Sequence, residues 1–483
     1  MKNHSFKKRG LGIALSFVLF IGFAFGTISV VHAGSGEKTI AGFGTSIISN
    51  PEAPKDQDSN WVGSYVYFGT YNGSPMKYRV LDNNTGVFGG TTMLLDCDSI
   101  LYAVGFDKYD GGSNVWNTCQ LRSELNSTFL ANSFSGIEQG AIAASVKANP
   151  DTQDKSIPYA TFAPLTGEKI FVLDAAEVTN TTYGYGDSNQ LQSRTKTGTR
   201  PSWWLRSPLT NSGGTSSAAT VGQYTAGVIV ANLVYEKTPG VSPALNIDLS
   251  KILFLSVVDG TAGQTGASYK MTLLDSSKKI QLTGGKSVTY TPEGVITVPY
   301  TYTDGATADA EKVNRISYMI TDKTYTSNNA QVLAYGALQN IKNANGESSS
   351  AADAATGTGT FVLSSDLINK ELGKDYHLYI FAEHVNDTSA TDYACSPVEI
   401  TVFRPAHNHT WTYSASGNEV KAYCVNTVNT EECSYQRDHA LTVSVTAADA
   451  LYSGTPYQNA TKTEEISSVT GANVSGIKYY SIS

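Results

Sequence analysis

Residues 203–208 read Trp-Trp-Leu-Arg-Ser-Pro, and residues 241–246 read Val-Ser-Pro-Ala-Leu-Asn. Two adjacent tryptophans beside an arginine are improbable in a linker, so this stretch decides how the surrounding domain is interpreted. In a strand, neighbouring side chains point to opposite faces. We therefore expect one indole to lie in the core and the other to point towards the loops at 179–199 and 209–220.

The same stretch supplies the candidate ligand-binding residues, which are Trp203, Trp204 and Arg206. Exposed tryptophan and arginine side chains anchor many binding sites. The alternative for the outward indole is packing against the two loops. Arg206 has the parity of Trp204, and its alternative role is a buried bidentate pair with a carboxylate, or hydrogen bonds to loop carbonyls.

The N-terminus indicates export from the cytoplasm. Four cations precede an apolar run from Leu11 to Val30, and residues 31–33 have the small-x-small form of a signal-peptidase site. The run is long enough to span a bilayer, so an uncleaved anchor is the alternative. We predict a signal peptide at 1–33, a secreted or wall-associated extracellular protein, and no other membrane contact.

The charge of the chain excludes several classes of partner. The sequence carries 34 basic and 42 acidic residues. Residues 1–33 hold four of the cations and no carboxylate, which leaves 30 basic and 42 acidic residues, a formal charge of about −12. A chain this acidic, without a basic cluster, is a poor partner for nucleic acid or anionic lipid.

Length and composition predict several β-rich domains. A chain of 483 residues exceeds the usual size of one domain, and 44 glycines and 28 tyrosines are typical of strands with polar loops. Five cysteines allow at most two disulfides, so the cores must be held together by burial. The predicted segments are a signal peptide at 1–33, a linker at 34–60, an α+β domain at 61–256, an Ig-like β-sandwich at 268–403, a His/Cys hairpin module at 404–440 and an incomplete β module at 441–483.

A helix is predicted inside the first domain. Leu121, Leu125 and Phe129 recur at positions i, i+4 and i+8, which places them on one helical face. Asn117 or Thr118 is the expected N-terminal cap, because a side-chain oxygen there can accept from a free backbone N–H.

A second helix and a long loop follow in the same domain. Ser135 and Glu138 have the spacing of a capping box for a helix that carries Ile142 and Val146. Residues 179–199 are rich in glycine, tyrosine and asparagine, which predicts a long surface loop.

Four motifs occur in a fixed order along the first domain. They are Tyr78-Arg79-Val80-Leu81-Asp82, Trp116-x-x-Cys-x-Leu121-Arg122-x-x-Leu125-Asn126, Trp204-Leu205-Arg206-Ser207-Pro208 and Val241-x-Pro243-Ala244-Leu245. This order resembles a domain of unassigned function common in secreted and wall-associated proteins of Gram-positive bacteria, in which arginine usually stands where this chain has Ser242. The closing strands are also similar in spacing to the C-type-lectin-like fold of sulfatase-modifying factors, which implies a lectin-like head.

The residues of the first domain argue against catalysis. The domain has no histidine, which removes a histidine general base. Sulfatase-modifying relatives use a cysteine pair near the end of the domain, whereas Cys97 and Cys119 lie in its first half; a disulfide or two buried thiols are the alternatives for them. Asp174 and Glu177 have a spacing that favours capping over a glycosidase pair. We predict that the protein is not an enzyme.

The predicted second domain is a sandwich of short strands. Seven apolar stretches separated by turn signals lie between residues 268 and 403, which is typical of an Ig-like module. The stretch 344–358 is rich in alanine, glycine and serine and is expected to be a loop. Modules of this kind serve as spacers in the surface proteins that the first domain resembles.

The tail contains a spacing that resembles a metal site. His407 and His409 precede a predicted hairpin, and Cys424 and Cys433 follow it. Imidazoles and thiolates are the ligands that zinc prefers. Thiols outside the cell also oxidise, so a disulfide, a zinc site and free thiols are the three alternatives. Zinc in the 404–440 module is the one cofactor that the sequence indicates.

The leading hypothesis is a secreted or cell-surface binding and adhesion protein, with a lectin-like head on β-sandwich spacers. Its expected partner is a glycan, a cell-wall component or a host-surface ligand. The alternatives are a structural wall-associated protein without a ligand and an extracellular carbohydrate-active enzyme. A concave, aromatic-lined cavity near Trp203 favours binding, whereas a flat polar face favours the structural role.

Overall fold

The computed structural model describes most of the first domain and parts of the rest. The described residues are 40–41, 51–53, 59–85, 88, 91–108, 112–148, 163–186, 192–198, 200, 202–210, 216–222, 227–289, 294–306, 311–325, 332–340, 354–363, 376–386, 389–403, 410–416, 419–425, 441–445 and 466–469. The predicted signal peptide lies outside this set. None of the helices in the described part of the chain has the length and apolar character needed to cross a membrane.

The protein is built mainly from strands, with little helix. The strands up to residue 259 are β1 Ile40–Ala41, β2 Tyr65–Tyr71, β3 Ser74–Thr85, β4 Thr92–Cys97, β5 Ser99–Ile100, β6 Tyr102–Ala103, β7 Ser145–Lys147, β8 Leu165–Glu168, β9 Ile170–Phe171, β10 Thr197–Gly198, β11 Ser202–Thr210, β12 Ser216–Gly222, β13 Val228–Leu233, β14 Gly240–Val241, β15 Ala244–Asp248 and β16 Ile252–Asp259. The later strands are β17 Ser268–Leu274, β18 Lys278–Leu282, β19 Ser287–Thr289, β20 Val295–Asp304, β21 Arg315–Thr321, β22 Val332–Asn340, β23 Ala354–Val362, β24 His377–His384, β25 Asp392–Ala394, β26 Val398–Phe403, β27 Trp411–Ser416, β28 Glu419–Cys424, β29 Leu441–Val445 and β30 Ile466–Val469.

Helical segments are short and lie mostly between β6 and β7. They are α1 Gln120–Glu124, a π-helical turn Leu125–Phe129, α2 Leu130–Ser133 and α3 Gly136–Ala141, with 3₁₀ turns at Trp116–Thr118, Glu177–Thr179, Thr181–Tyr183, Gln192–Arg194 and Leu249–Lys251. The apolar face predicted for the first helix is confirmed, because Leu121, Leu125 and Phe129 are all buried.

Several sheets organise these strands. The largest runs β19-β26-β24-β25-β17-β2-β3-β4-β15-β9, with β1, β16, β21 and β22 attached to it. A second sheet has the order β13-β12-β11-β14-β6 and contains the tryptophan pair. We call residues 61–256 the head and residues 268–403 the second module. The largest sheet passes from one to the other, because β17 pairs in parallel with β2 of the head and with β25.

The turn between β2 and β3 shows how local sequence sets the register. Asn72 and Gly73 have φ values of 51° and 76°. Positive φ at both central residues is the requirement of a type I′ hairpin, and asparagine followed by glycine meets it at the lowest steric cost. The stretch Tyr71-Asn72-Gly73-Ser74 is therefore the turn of this hairpin, and it places Tyr71 at the tip of the sheet.

Two helix ends differ from the prediction. The cap of α1 is Cys119, whose Sγ accepts from the Arg122 N–H at 3.4 Å, because residues 117 and 118 are part of the preceding 3₁₀ turn. The Ser135–Glu138 capping box of α3 is present. However, α3 ends at Ala141, and Val146 lies in β7 instead, because the chain after Ala141 pairs with the backbone of β15.

Two loop predictions are also corrected. The stretch 179–199 is not a surface loop throughout: Tyr185, Arg194 and Lys196 are buried, because their polar ends bind groups inside the head. Residues 354–358 of the stretch predicted as a loop lie in β23, where they pair with β20.

The second module has two sheets around one core. Strands β18, β20 and β23 form one sheet, and β22, β21, β24 and β26 belong to the other. Buried side chains from both sheets, among them Ile296, Tyr300, Ile316 and Phe381, form a single hydrophobic cluster. Each of the seven predicted strands is present, together with β18, β22 and β25.

Candidate functional site

The tryptophan pair is divided between two environments, but both indoles are buried. Trp203 and Trp204 are 1% and 0% exposed. Trp203 faces the 179–199 segment, where its Nε1 donates to the Arg194 carbonyl at 3.3 Å. Trp204 packs in the core against Phe106 and donates to the Val104 carbonyl at 2.7 Å. The opposite facing that strand parity predicts is present, and the second indole packs against the loop rather than presenting a surface for a ligand.

Arg206 is fully buried and uses its guanidinium as an internal cross-link. Its Nη1 and Nη2 donate to the two oxygens of Glu177 at 2.5 and 2.7 Å, and Nη2 also donates to Asp174 at 2.8 Å. Nε and Nη1 donate to the carbonyls of Ala163 and Val172. The buried bidentate pair considered from the sequence is confirmed.

The two carboxylates on Arg206 are held by a second cation. Lys147 donates to Glu177 at 2.6 Å and to Asp174 at 3.3 Å. Burial by itself raises the pKa of Glu177, but Arg206 and Lys147 outweigh burial and hold that pKa below its usual value. Both carboxylates lie in the interior and bind the same guanidinium, so they do not face each other across a cleft as a glycosidase pair does.

A second buried ionic cluster links the 179–199 segment to β4. Both oxygens of Asp96 lie 2.6 Å from the Lys196 Nζ, and the Tyr185 hydroxyl donates to the same carboxylate. The Lys196 ammonium also donates to Ser242 Oγ at 2.7 Å and lies 3.9 Å from the centroid of the Trp203 ring. Ser242 is therefore hydrogen-bonded to a lysine from a distant part of the chain.

Helix motif residues anchor the helical segment to β8 and β9. Arg122 donates to Glu168 at 2.6 Å. The Asn126 amide donates to the Ile170 carbonyl and accepts from the Lys169 and Ile170 N–H groups. These contacts satisfy polar groups inside the head, so the Leu-Arg-x-x-Leu-Asn motif has a structural role.

Cys97 and Cys119 are free buried thiols, so the disulfide considered for them is absent. Cys395 of the second module is free and buried as well. Burial raises the pKa of all three thiols to about 12.

We expect iodoacetamide at pH 8 to leave these three cysteines largely unmodified in the folded protein and to modify them rapidly in guanidinium chloride. The thiolate is the reactive form, and a pKa raised to about 12 keeps each group protonated at pH 8. Peptide mass mapping after timed quenching measures each site separately. Rapid modification of Cys97 in the folded protein would contradict this assignment.

The metal site predicted in the tail falls largely outside the described residues. His407, His409 and Cys433 are not among them, whereas Cys424 is buried at the end of β28, where it pairs with Trp411 of β27. Within the described part of the chain, no group of three metal-ligating side chains comes together. Zinc, a disulfide and free thiols stay open for this module.

A concave groove lies on the head where the β2–β3 turn meets the helical segment. Its volume is about 440 Å³, within the range of small-ligand cavities. One wall is a polar stripe on the helices, formed by Glu124, Thr128 and Asn132 at i, i+4 and i+8. This stripe crosses the π-helical turn Leu125–Phe129, a helix irregularity that is frequent at functional sites.

Three aromatic rings also line the groove. Tyr71 and Tyr102 stack with ring centroids 5.8 Å apart. Phe129 lies 6.4 Å from the first ring and 6.1 Å from the second. Burial raises the pKa of Tyr102, and the neighbouring Glu124 carboxylate adds to this effect. The groove thus combines three aromatic rings with a carboxylate and uncharged hydrogen-bonding groups.

The groove lies near the tryptophan pair but does not include it. Tyr102 is in β6, which pairs with β14, and β14 pairs with Trp203 of β11. A second cavity of about 380 Å³ lies next to the groove and shares Thr70, Asn132 and Ser133 with it. Glu138, Glu311, Asn386 and Tyr393 also line this second cavity, at the contact between head and second module.

The sequence did not identify the groove residues. No motif in the sequence singles out Tyr71, Tyr102 or Glu124. A weak signal was present: Glu124, Thr128 and Asn132 form a polar stripe at helical spacing directly beside the buried face. The sequence does not show that this stripe lies beside Tyr71 and Tyr102, because that depends on how the strands and helices pack.

Comparison with known proteins finds a match to a domain of unknown function within the head. Residues 89–249 match the family described as a domain of unknown function, DUF6273. No curated protein matches the chain.

Solved structures give only distant similarity. HBP35 of Porphyromonas gingivalis is 14% identical, over 30% of this chain and 50% of its own, with a TM-score of 0.18. The sporulation control protein Spo0M of Bacillus subtilis is 8% identical, over 36% and 75%, with a TM-score of 0.17. A DUF3823 family protein of Parabacteroides merdae is 8% identical, over 37% and 82%, also with a TM-score of 0.17. The match spans about half the length of HBP35, and TM-scores this low do not indicate a common fold.

Proposed function

We propose that this protein is a secreted or cell-surface binding and adhesion protein whose ligand site is the aromatic groove of the head. The observation that carries the proposal is the stacked pair Tyr71–Tyr102, with Phe129 tilted against both rings, beside a polar helical stripe in a cavity of about 440 Å³. A flat polar face, expected of a purely structural head, would not have this shape.

The chemistry of the groove suits a glycan. Aromatic rings offer a large, rigid, apolar face, and a pyranose ring presents a matching face of C–H groups. Glu124, Thr128, Asn132 and Asn72 supply donors and acceptors for hydroxyl groups around that face. Small-molecule sites generally combine an apolar lining with a few placed polar groups in this way.

The rest of the chain fits a protein that presents its head outside the cell. We propose that the head has a C-type-lectin-like arrangement and that the second module is an Ig-like spacer, as the motif order implies. The acidic chain and the signal-peptide pattern at 1–33 support an extracellular location. The origin in a Gram-positive bacterium and attachment to its wall belong to the same proposal.

We expect Tyr71→Ala to reduce affinity for the ligand about tenfold or more, because truncating an aromatic anchor commonly costs over 1 kcal/mol. The full chain would be screened against a glycan array, purified cell walls and host-surface glycoproteins. Tyr71→Phe keeps the ring and should bind nearly as well as the wild type.

Tyr413→Ala is the matched control, because Tyr413 is 60% exposed and lies in the tail hairpin. Circular dichroism would establish that each variant is folded. If the folded wild-type chain binds no member of the screen, the binding proposal fails and the structural role is favoured.

A further inference from the structure

The charge of the groove narrows the ligand class. Among the described residues that line the two cavities there is no lysine, arginine or histidine, whereas Glu124 lines the first and Glu138 and Glu311 line the second. Each cavity therefore carries negative charge without a compensating cation in its lining. An anionic glycan would be repelled at short range, and a cationic one would be attracted.

The position of Glu124 gives this charge a specific geometry. It is half-buried at the end of α1, next to the Tyr102 hydroxyl and on the same wall as Thr128. A carboxylate beside aromatic faces is a favourable environment for an ammonium group, which can pair with the carboxylate and lie against a ring. The same rings pack against the apolar face of a sugar.

The two cavities are adjacent. They share Thr70, Asn132 and Ser133 and have volumes of about 440 and 380 Å³. Glu138 is fixed at the boundary by the Thr391 hydroxyl, which donates to it at 2.6 Å, and by the Ser135 N–H at 2.9 Å. A linear ligand that occupied both cavities would therefore reach from the head onto residues of the second module, and each cavity has a carboxylate in its lining.

We infer that the groove binds a linear glycan that carries primary ammonium groups, such as a chain of β-linked glucosamine units. This inference rests on the proposed function, since it names the ligand class of the same groove. The free amine distinguishes such a chain from its N-acetylated form, which has the same rings without the charge.

Three hexasaccharides would be titrated into a solution of the full-length protein and their binding measured by calorimetry. They are a glucosamine hexamer, an N-acetylglucosamine hexamer and an anionic hyaluronan hexamer. We expect the glucosamine hexamer to bind most tightly and the hyaluronan hexamer to bind least. Raising the salt concentration should weaken binding of the glucosamine hexamer and leave binding of the uncharged N-acetylglucosamine hexamer unchanged, because salt screens only the interaction between charges.

Glu124→Gln keeps the shape of the side chain and removes its charge. It should weaken the glucosamine hexamer by about fivefold and leave the N-acetylated hexamer unchanged, consistent with a half-buried ion pair supported by an aromatic face. Glu52→Gln, at an exposed position outside both cavities, is the control and should change neither affinity.

The outcomes separate the two proposals. If the N-acetylated hexamer binds as tightly as the glucosamine hexamer, and Tyr71→Ala weakens both, the ammonium inference is overturned while the groove remains a glycan site. If Glu124→Gln leaves the preference for glucosamine unchanged, the assignment to Glu124 is overturned. If none of the hexamers binds, the inference fails, and the wider ligand screen then decides the proposed function.

Discussion

Replacing Arg206 with methionine is expected to lower the free energy of unfolding of the head by about 3–5 kcal/mol. The substitution keeps most of the side-chain volume but leaves Asp174 and Glu177 buried with Lys147 as their remaining cation. It also leaves the carbonyls of Ala163 and Val172 without their guanidinium donors. Since domains are stable by only about 5–15 kcal/mol, a loss of this size removes a large part of the total.

Guanidinium titration followed by tryptophan fluorescence measures this change. Arg206→Lys keeps the charge but loses the fork of donors, so its stability should lie between those of the wild type and Arg206→Met. Arg200→Ala removes an exposed arginine close by in the sequence and should change stability by no more than about 0.5 kcal/mol. An Arg206→Met head as stable as the wild type would show that the buried pair contributes nothing net.

The loss of stability caused by Arg206→Met should also depend on pH, and it should become smaller at low pH. The pKa of Glu177 is held below its unfolded value by Arg206 and Lys147, against the effect of burial. A group of this kind contributes stability above its unfolded pKa, which for glutamate is about 4.3, and loses it as the pH falls through the folded value. The difference in stability between wild type and Arg206→Met should therefore narrow as the pH is lowered below about 4.

Replacing Lys196 with methionine is expected to destabilise the head by a similar amount, about 3–5 kcal/mol, because Asp96 would lose its cation inside the core. The Asp96 carboxylate is 0% exposed and keeps only the Tyr185 hydroxyl among the partners described here. Removing the ammonium next to the Trp203 ring should also change the fluorescence emission of the folded head.

The double variant Lys196→Met/Asp96→Asn tests whether the unpaired buried charge of Asp96 causes the loss of stability. Neutralising the carboxylate removes the unpaired buried charge, so the double variant should recover at least half of the loss. Lys251→Met, at an exposed position, is the control and should change stability by no more than about 0.5 kcal/mol. If the double variant is less stable than Lys196→Met, charge burial is not the reason for the loss.

Local features of this chain were predictable because their causes are local. The φ requirement at Asn72 and Gly73, the Ser135–Glu138 capping box and the buried face through Leu121 act over a few residues, so the sequence reports them directly. The cap at Cys119 was missed because the residues expected to cap are used by a 3₁₀ turn.

The environment of the tryptophan pair was predictable in part. Strand parity correctly separates Trp203 from Trp204, and of the two roles considered for Arg206 the structure shows the buried pair. Parity gives only the face of the strand, however, and not what covers that face. The 179–199 segment covers Trp203 with Arg194 and Lys196, although its composition predicts a solvent-exposed loop.

The sequence by itself determined the β-rich class of this protein and its division into several strand-based regions. Periodicity and turn chemistry carry that information within about ten residues. Only the tertiary structure decided that Lys196 meets Asp96, and that Tyr71, Tyr102 and Glu124 line one groove. These residues are distant in sequence and are brought together by strand pairing and helix packing, which no local pattern encodes.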